Sequence, residues 1–132
     1  MNPPPYTTTL LREHADAIAP DGSEVRLLVE LSRGSLAHFT LPAGKVSLAV
    51  RHRTIEELWY IVAGQGEMWR AQGEEEDIVT LQPGVALSIP TGCSFQFRAG
   101  ENSDLKAVGV AMPPWPGEHE AASAQGPWEA TV

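Results

Sequence analysis

The sequence predicts an all-β protein, an antiparallel sandwich or barrel with irregular proline-rich arms at both ends. Three observations carry this: short alternating apolar and polar runs, turn residues that punctuate them closely, and end segments whose prolines no sheet interior accepts. Residues 1–9 are rich in Pro and Thr and read as an extended arm. Leu10–Ile18 has the composition for one or two helical turns, with Pro20 as the stop. Asp21-Gly22 is a turn signal. Beyond it, Glu24–Leu31, Ser35–Leu41, Val46–Arg53, Glu57–Val62 and Gly66–Ala71 read as strands, followed by Ile78–Leu81, Ala86–Ile89, Ser94–Ala99 and Lys106–Met112. Their separators are turn residues such as Pro42-Ala43-Gly44, Gly64-Gln65-Gly66 and Pro90-Thr91-Gly92. In 113–132, Pro113, Pro114, Pro116 and Pro127 deny a sheet ladder, while Trp115 and Trp128 are apolar enough to pin the segment onto the barrel or a neighbouring subunit. The chain thus divides into an arm (1–20), a β-barrel (21–112) and a Pro/Trp segment (113–132).

At 132 residues the chain is the length of one domain, and its core needs no disulfide support. Seventeen acidic side chains against nine basic ones give a net charge of −8. Such a surface argues against nucleic acid and anionic membranes, whose binding is driven by clustered Lys and Arg. The single Cys93 fits a reducing compartment. The chain opens without a charged and then apolar leader pattern, and no apolar run approaches a membrane span, so a cytoplasmic location is expected.

The chemistry-bearing residues lie in two spaced patterns. In the first, Gly44 is followed after five residues by Val50-Arg51-His52, then by Glu57, and after six more residues by Gly64. In the second, Gly84 is followed by Pro90-Thr91-Gly92, then by Phe95 and Ala99. These spacings resemble the two motifs of the cupin superfamily, and the resemblance covers residues 44–100. It implies a double-stranded β-helix, a jelly-roll barrel, with its site inside the mouth. It also implies a homodimer, consistent with the need of such barrels to cover exposed sheet edges.

In that family the same motifs supply three imidazoles and one carboxylate to Fe, Mn, Ni, Cu or Zn. Here Val50 and Phe95 stand in two His positions and Ala99 in an Asn position, leaving His52 and Glu57. Two protein ligands hold a first-row metal poorly. No cofactor is therefore expected, and a divalent transition metal, if held, rests on His52, Glu57 and a non-standard third ligand. His38 has suitable chemistry for that third place, although no motif puts it there.

A different expectation follows from the replacements. By strand alternation Phe97 shares a side with Phe95, and Trp59 and Ile61 share one with Glu57. Val50, Trp59, Ile61, Phe95 and Phe97 then form an apolar wall around a polar end made of His52 and Glu57. That arrangement suits a small, partly apolar organic molecule. As a catalytic pair, His52 and Glu57 serve proton-transfer chemistry of the isomerase, cyclase or lyase kind. Two blander readings stay open: the pair only hydrogen-bond each other, or the aromatics fill a closed barrel. The functional alternatives are a metal-dependent dioxygenase or isomerase, and a non-catalytic binding or interaction protein.

Other features carry less. The acidic run Glu74–Asp77 reads as a solvated loop, and Cys93 lacks the electropositive setting of a nucleophile. Arg51 and Arg53 alternate away from His52 and are placed to pair with Glu56 or with a subunit partner.

Overall fold

The computed structural model of the chain describes residues 5–132; residues 1–4 of the arm lie outside the described residues. The protein is all-β, two antiparallel sheets facing each other as a jelly-roll barrel, with a single short 3-10 turn at Glu118–Glu120. The strands are β1 (Ala17–Ile18), β2 (Glu24–Leu31), β3 (Gly34–Leu41), β4 (Val50–His52), β5 (Glu56–Ala63) and β6 (Gly66–Gln72). They continue with β7 (Glu75–Leu81), β8 (Ala86–Ile89), β9 (Ser94–Ala99), β10 (Leu105–Met112) and β11 (Ala121–Ser123). One sheet runs β1-β2-β3-β10-β5-β8 and the other β11-β4-β9-β6-β7. Among the described residues no helix is long and apolar enough to cross a membrane.

Alternation sets which side chains meet. In β5, Glu57, Trp59 and Ile61 are buried, while Glu56, Leu58, Tyr60 and Val62 are exposed on the outer face. Leu41, Ile61, Met68, Leu81, Ile89, Phe95, Phe97 and Leu105 close the interior, each no more than 2 % exposed. Burying one such side chain contributes roughly 1.5–3 kcal/mol before conformational entropy is counted. The motif glycine Gly64 has a concrete reason to be there. Its φ is +80°, and a Cβ at this position would sit 2.1 Å from the Asp104 carbonyl oxygen.

Three local expectations are corrected. Leu10–Ile18 forms no helical turn; residues 10–16 are irregular, and Ala17 and Ile18 pair with Val25 and Glu24. Side chains take the bonds a helix would have needed. Asp16 accepts from the Leu27 amide at 2.7 Å, and the Arg26 guanidinium reaches the carbonyls of Arg12 and Glu13 at 2.8 and 2.6 Å. The acidic run Glu74–Asp77 is no free loop, because Glu75–Asp77 belong to β7. There the Trp69 indole donates to Glu76 at 3.0 Å, and Arg70 pairs with Asp77 at 3.1 Å. The strand expected over Val46–Arg53 shrinks to Val50–His52. Residues 46–49 instead bond to Asp21 and to the C-terminal segment. The Leu48 amide donates to the Asp21 carbonyl, the Ala124 amide to Ala49, and the Thr131 amide to Val46.

The C-terminal segment packs on the barrel. β11 pairs with β4, setting Ala121 opposite His52 and Ser123 opposite Val50. Trp128 lies under the Arg98 guanidinium at 4.2 Å, and its backbone bonds the buried Gln96 side chain.

Candidate functional site

His52 ends β4 in one sheet and Glu57 lies near the start of β5 in the other, so the pair bridges the two sheets inside the barrel. Both are 5 % exposed, and the imidazole Nε2 meets Glu57 Oε1 at 2.6 Å. The turn between them is held from outside by Glu120. Its carboxylate accepts from the Thr54 amide at 2.7 Å, the Ile55 amide at 2.8 Å and the Thr54 hydroxyl. On the other flank the Gly92 amide donates to the His52 carbonyl at 3.0 Å, and the Thr91 hydroxyl to the Ile55 carbonyl at 2.8 Å. Burial opposes ionisation of Glu120, but these hydrogen bonds and the nearby His52 outweigh it and hold the carboxyl below its ordinary range.

Beside the pair lies a cavity of about 170 Å³ that opens to solvent past Ile18 and Leu27. Its wall includes Val50, His52, Glu57 and Trp59, together with Asp21, Phe39, Gly109 and Trp115. Of the residues expected from sequence, Phe95, Phe97 and Ile61 are not in this wall; they are buried in the hydrophobic core. Phe95 still shapes the site, with ring centroids 5.3 Å from His52 and 6.2 Å from Trp59. It is also the cross-strand partner of Val50, so the two replaced motif positions touch as one apolar patch. Trp59 stacks on Phe39 at 5.1 Å with an interplanar angle of 12°, and Trp115 meets His52 edge-on at 5.5 Å. A more open depression of about 620 Å³ runs along Leu48, Gln96 and Trp128 and contains no titratable side chain.

His52 and Trp59, two residues of this wall, each have a ring nitrogen, Nδ1 and Nε1, buried without a hydrogen-bond partner. Such groups cost about 1–3 kcal/mol each when left unpaired. Asp21 adds a second carboxyl. Its Oδ1 accepts from the Ser23 amide at 2.9 Å and hydroxyl at 2.6 Å. Burial pushes this carboxyl up; the Ser23 hydrogen bonds pull the other way, the Glu57 charge adds to the rise, and His52 opposes it.

The sequence reading missed Asp21, Phe39 and Trp115 as members of the wall. Asp21 stands before Gly22 and is indistinguishable there from ordinary turn chemistry. Trp115 gave the one usable signal, an apolar side chain stranded among prolines.

The metal expected of such a motif does not fit these residues. Among the described residues no group of three or more His, Cys, Asp or Glu is placed to hold an ion. His52 and Glu57 point at one another instead of converging on a shared point. His38 is no third ligand: Ala37 and Phe39 line the cavity, and alternation turns His38 to the opposite face of β3. Cys93 is 3 % exposed, burial pushes its thiol up, and its Sγ contacts the Ser94 carbonyl at 3.5 Å; it is no nucleophile. Arg51 and Arg53 are exposed, and neither forms an ion pair among the described residues.

Comparison with known proteins agrees with this architecture. An uncharacterized protein of Methanocaldococcus jannaschii is 28 % identical, with 83 % of this chain and 91 % of that protein covered. Among solved structures, the capsular polysaccharide assembling protein CapF of Staphylococcus aureus superposes with a TM-score of 0.68 at 14 % identity. That match covers 79 % of this chain and 32 % of CapF, so the chain spans about a third of that protein's length. Streptomyces PAC13, solved with uridine, superposes with a TM-score of 0.69 at 11 % identity, covering 92 % of each chain. At these identities the two structures share the fold. The family model described as Cupin domain matches residues 37–111, more than half of the chain and the stretch that carries β3 to β10 and both motifs. The chain belongs to the cupin family.

Proposed function

We propose that the protein binds a small, partly apolar organic molecule in the cavity beside His52 and Glu57, and that this pair transfers a proton on it. The observation that carries the reading is a largely apolar cavity with a hydrogen-bonded imidazole–carboxylate pair in its wall. Its volume of about 170 Å³ falls below the roughly 300 Å³ at which drug-sized pockets begin, which suits a compact ring or short chain. Glu57 accepts the Nε2 hydrogen and so fixes the imidazole tautomer; Nδ1 then carries the lone pair that takes a proton from carbon or oxygen of the substrate. The Glu57 carboxylate stabilises the imidazolium so formed. Asp21, whose carboxyl is raised by burial and so keeps its proton to higher pH than an ordinary aspartate, is suited to donate a proton in return. Isomerisation, cyclisation and elimination all fit this exchange.

The test uses 2-hydroxycyclohexanone, a compact neutral ring with an acidic C–H, in deuterated buffer. We expect NMR contacts to Val50 and Trp59, and α-deuteration faster than in buffer alone. Glu57→Gln should slow that exchange about 100-fold, the usual scale for removing acid–base assistance. Contacts without exchange would remove the catalytic half of the proposal; absence of contacts would remove all of it.

A further inference from the structure

The sheet that presents Glu57 and Trp59 to the cavity has a second face, turned away from it. β5 alternates, so Leu58, Tyr60 and Val62 stand on that outer face, 51 %, 49 % and 41 % exposed. Three large apolar side chains half open to water in one strand make a contiguous patch, not scattered exposure. On the neighbouring β10, Lys106, Val108, Val110 and Met112 are the half-buried positions that alternate with buried ones. The register sets Val110 beside Leu58 and Val108 beside Tyr60, so two apolar rows cross the middle of the face. The charges of these two strands stand at opposite ends: Glu56 where β5 begins, and Lys106 beside Ala63 where β5 finishes. Among the described residues neither forms an ion pair.

We infer that two copies of this chain meet on the outer face of β5 and β10, about a two-fold axis that crosses the strands at the Trp59–Gly109 pair. A two-fold that exchanges two copies lies in the plane of their contact, and one running across the strands reverses strand direction. It therefore carries the Glu56 end of one copy over the Lys106 end of the other. The register makes the two ends equidistant from the axis. Glu56 is three residues from Trp59 along β5, and Lys106 is three residues from Gly109 along β10, about 10 Å in each case. The Leu58 row of one copy then lies on the Tyr60 row of the other, with a Glu56–Lys106 ion pair at each margin. An unrelated partner would need these charges reversed at the same spacing; a second copy supplies them by symmetry. An apolar centre with charge kept to the margin is the anatomy of a specific contact. Each chain carries a net charge of −8, so copies approach with least repulsion on a face where one acid balances one base.

Analytical ultracentrifugation of the wild-type chain should show a reversible dimer. Glu56→Lys leaves only bases at the two ends of the face, and Lys106→Glu leaves only acids. Each variant places two like-charge contacts in its own dimer and should weaken self-association at least about tenfold. Mixed one to one, the two variants should form a heterodimer about as tight as the wild-type dimer, because each supplies the charge that the other lacks; that heterodimer also shows that both have folded. Tyr60→Ser, at an exposed position, should weaken the dimer about tenfold through lost apolar contact. A monomeric wild type would overturn the inference. So would single variants that self-associate as tightly as the wild type, or that stay apart when mixed. None of these outcomes bears on the cavity, which lies on the other face of the sheet.

Discussion

Asp21 and Glu120 are buried carboxyls on either side of the His52–Glu57 pair, and their surroundings push them in opposite directions. Glu120 is held below its ordinary range, so its contribution to stability is present above the unfolded-state value and is lost as pH falls through the folded one. Glu120→Gln should therefore cost roughly 2 kcal/mol near neutral pH, where three donors lose a charged acceptor, and progressively less in acid. Thermal melts across pH check this; an equal loss at every pH would mean that charge plays no part. Asp21 has the opposite sign. Its carboxyl is raised, so its favourable contribution lies below the unfolded-state value and disappears as pH rises through the folded one. Near neutral pH, Asp21→Asn should stabilise the fold by about 0.5–2 kcal/mol, as removal of an unfavourable functional group commonly does. No gain on melting would show that Asp21 carries no such cost. At this scale the sequence disclosed His52 and Glu57 because motif spacing names them. It concealed Asp21 because the next residue, Gly22, gives the same dipeptide a sufficient reason as a turn.

Whole elements were legible where alternation is strong. β5 and β10 bury every second residue and match their sequence patterns closely. Legibility failed where side chains from distant segments decide the backbone, as Arg26 does for residues 10–16 and Trp69 and Arg70 do for β7. The metal-site replacements were legible one position at a time, but the pairing of Val50 with Phe95 is a property of β4 lying against β9. β10 shows how an element sets the cavity. It runs between β3 and β5, with Gly109 opposite Ala37 on one side and Trp59 on the other. A Cβ on Gly109 would stand 2.9 Å from Phe39 Cε2 and 3.2 Å from Trp59 Nε1, so this glycine makes room for the stacked pair. Gly109→Ala should cost about 1–3 kcal/mol through overpacking and weaken binding of 2-hydroxycyclohexanone at the same time. A melt and a 2-hydroxycyclohexanone titration on the same variant test the two effects; full affinity would show that the stacked rings do not shape the site.

The cavity wall draws on residues 17–27, 35–39, 50–59 and 109–121, so no single stretch of sequence describes it. What gathers these pieces is the bonding of residues 46–49 to Asp21 and to the C-terminal segment. The Asp21 carbonyl receives the Leu48 amide from one side, while Ala124 and Thr131 bond Ala49 and Val46 from the other. Val132 packs directly on Gly22, next to Asp21. The central anchor is Gln96, 1 % exposed, whose Nε2 donates to the carbonyls of Ser47 at 2.8 Å and Trp128 at 2.9 Å, while its Oε1 accepts from the Trp128 amide at 3.2 Å. A leucine at this position has similar bulk and none of these bonds, and leaves buried backbone groups of Ser47 and Trp128 unpaired. Gln96→Leu should thus destabilise the protein by about 2–3 kcal/mol and raise amide hydrogen exchange in β11 and β4 together, because β11 is held to the barrel through β4. Since Ala121 lies opposite His52 across that pair of strands, the same variant should also lose affinity for 2-hydroxycyclohexanone, although Gln96 is not in the wall of the cavity. Faster exchange confined to residues 124–132, with β4 protected and binding intact, would mean that the tail covers the barrel without holding its mouth in shape.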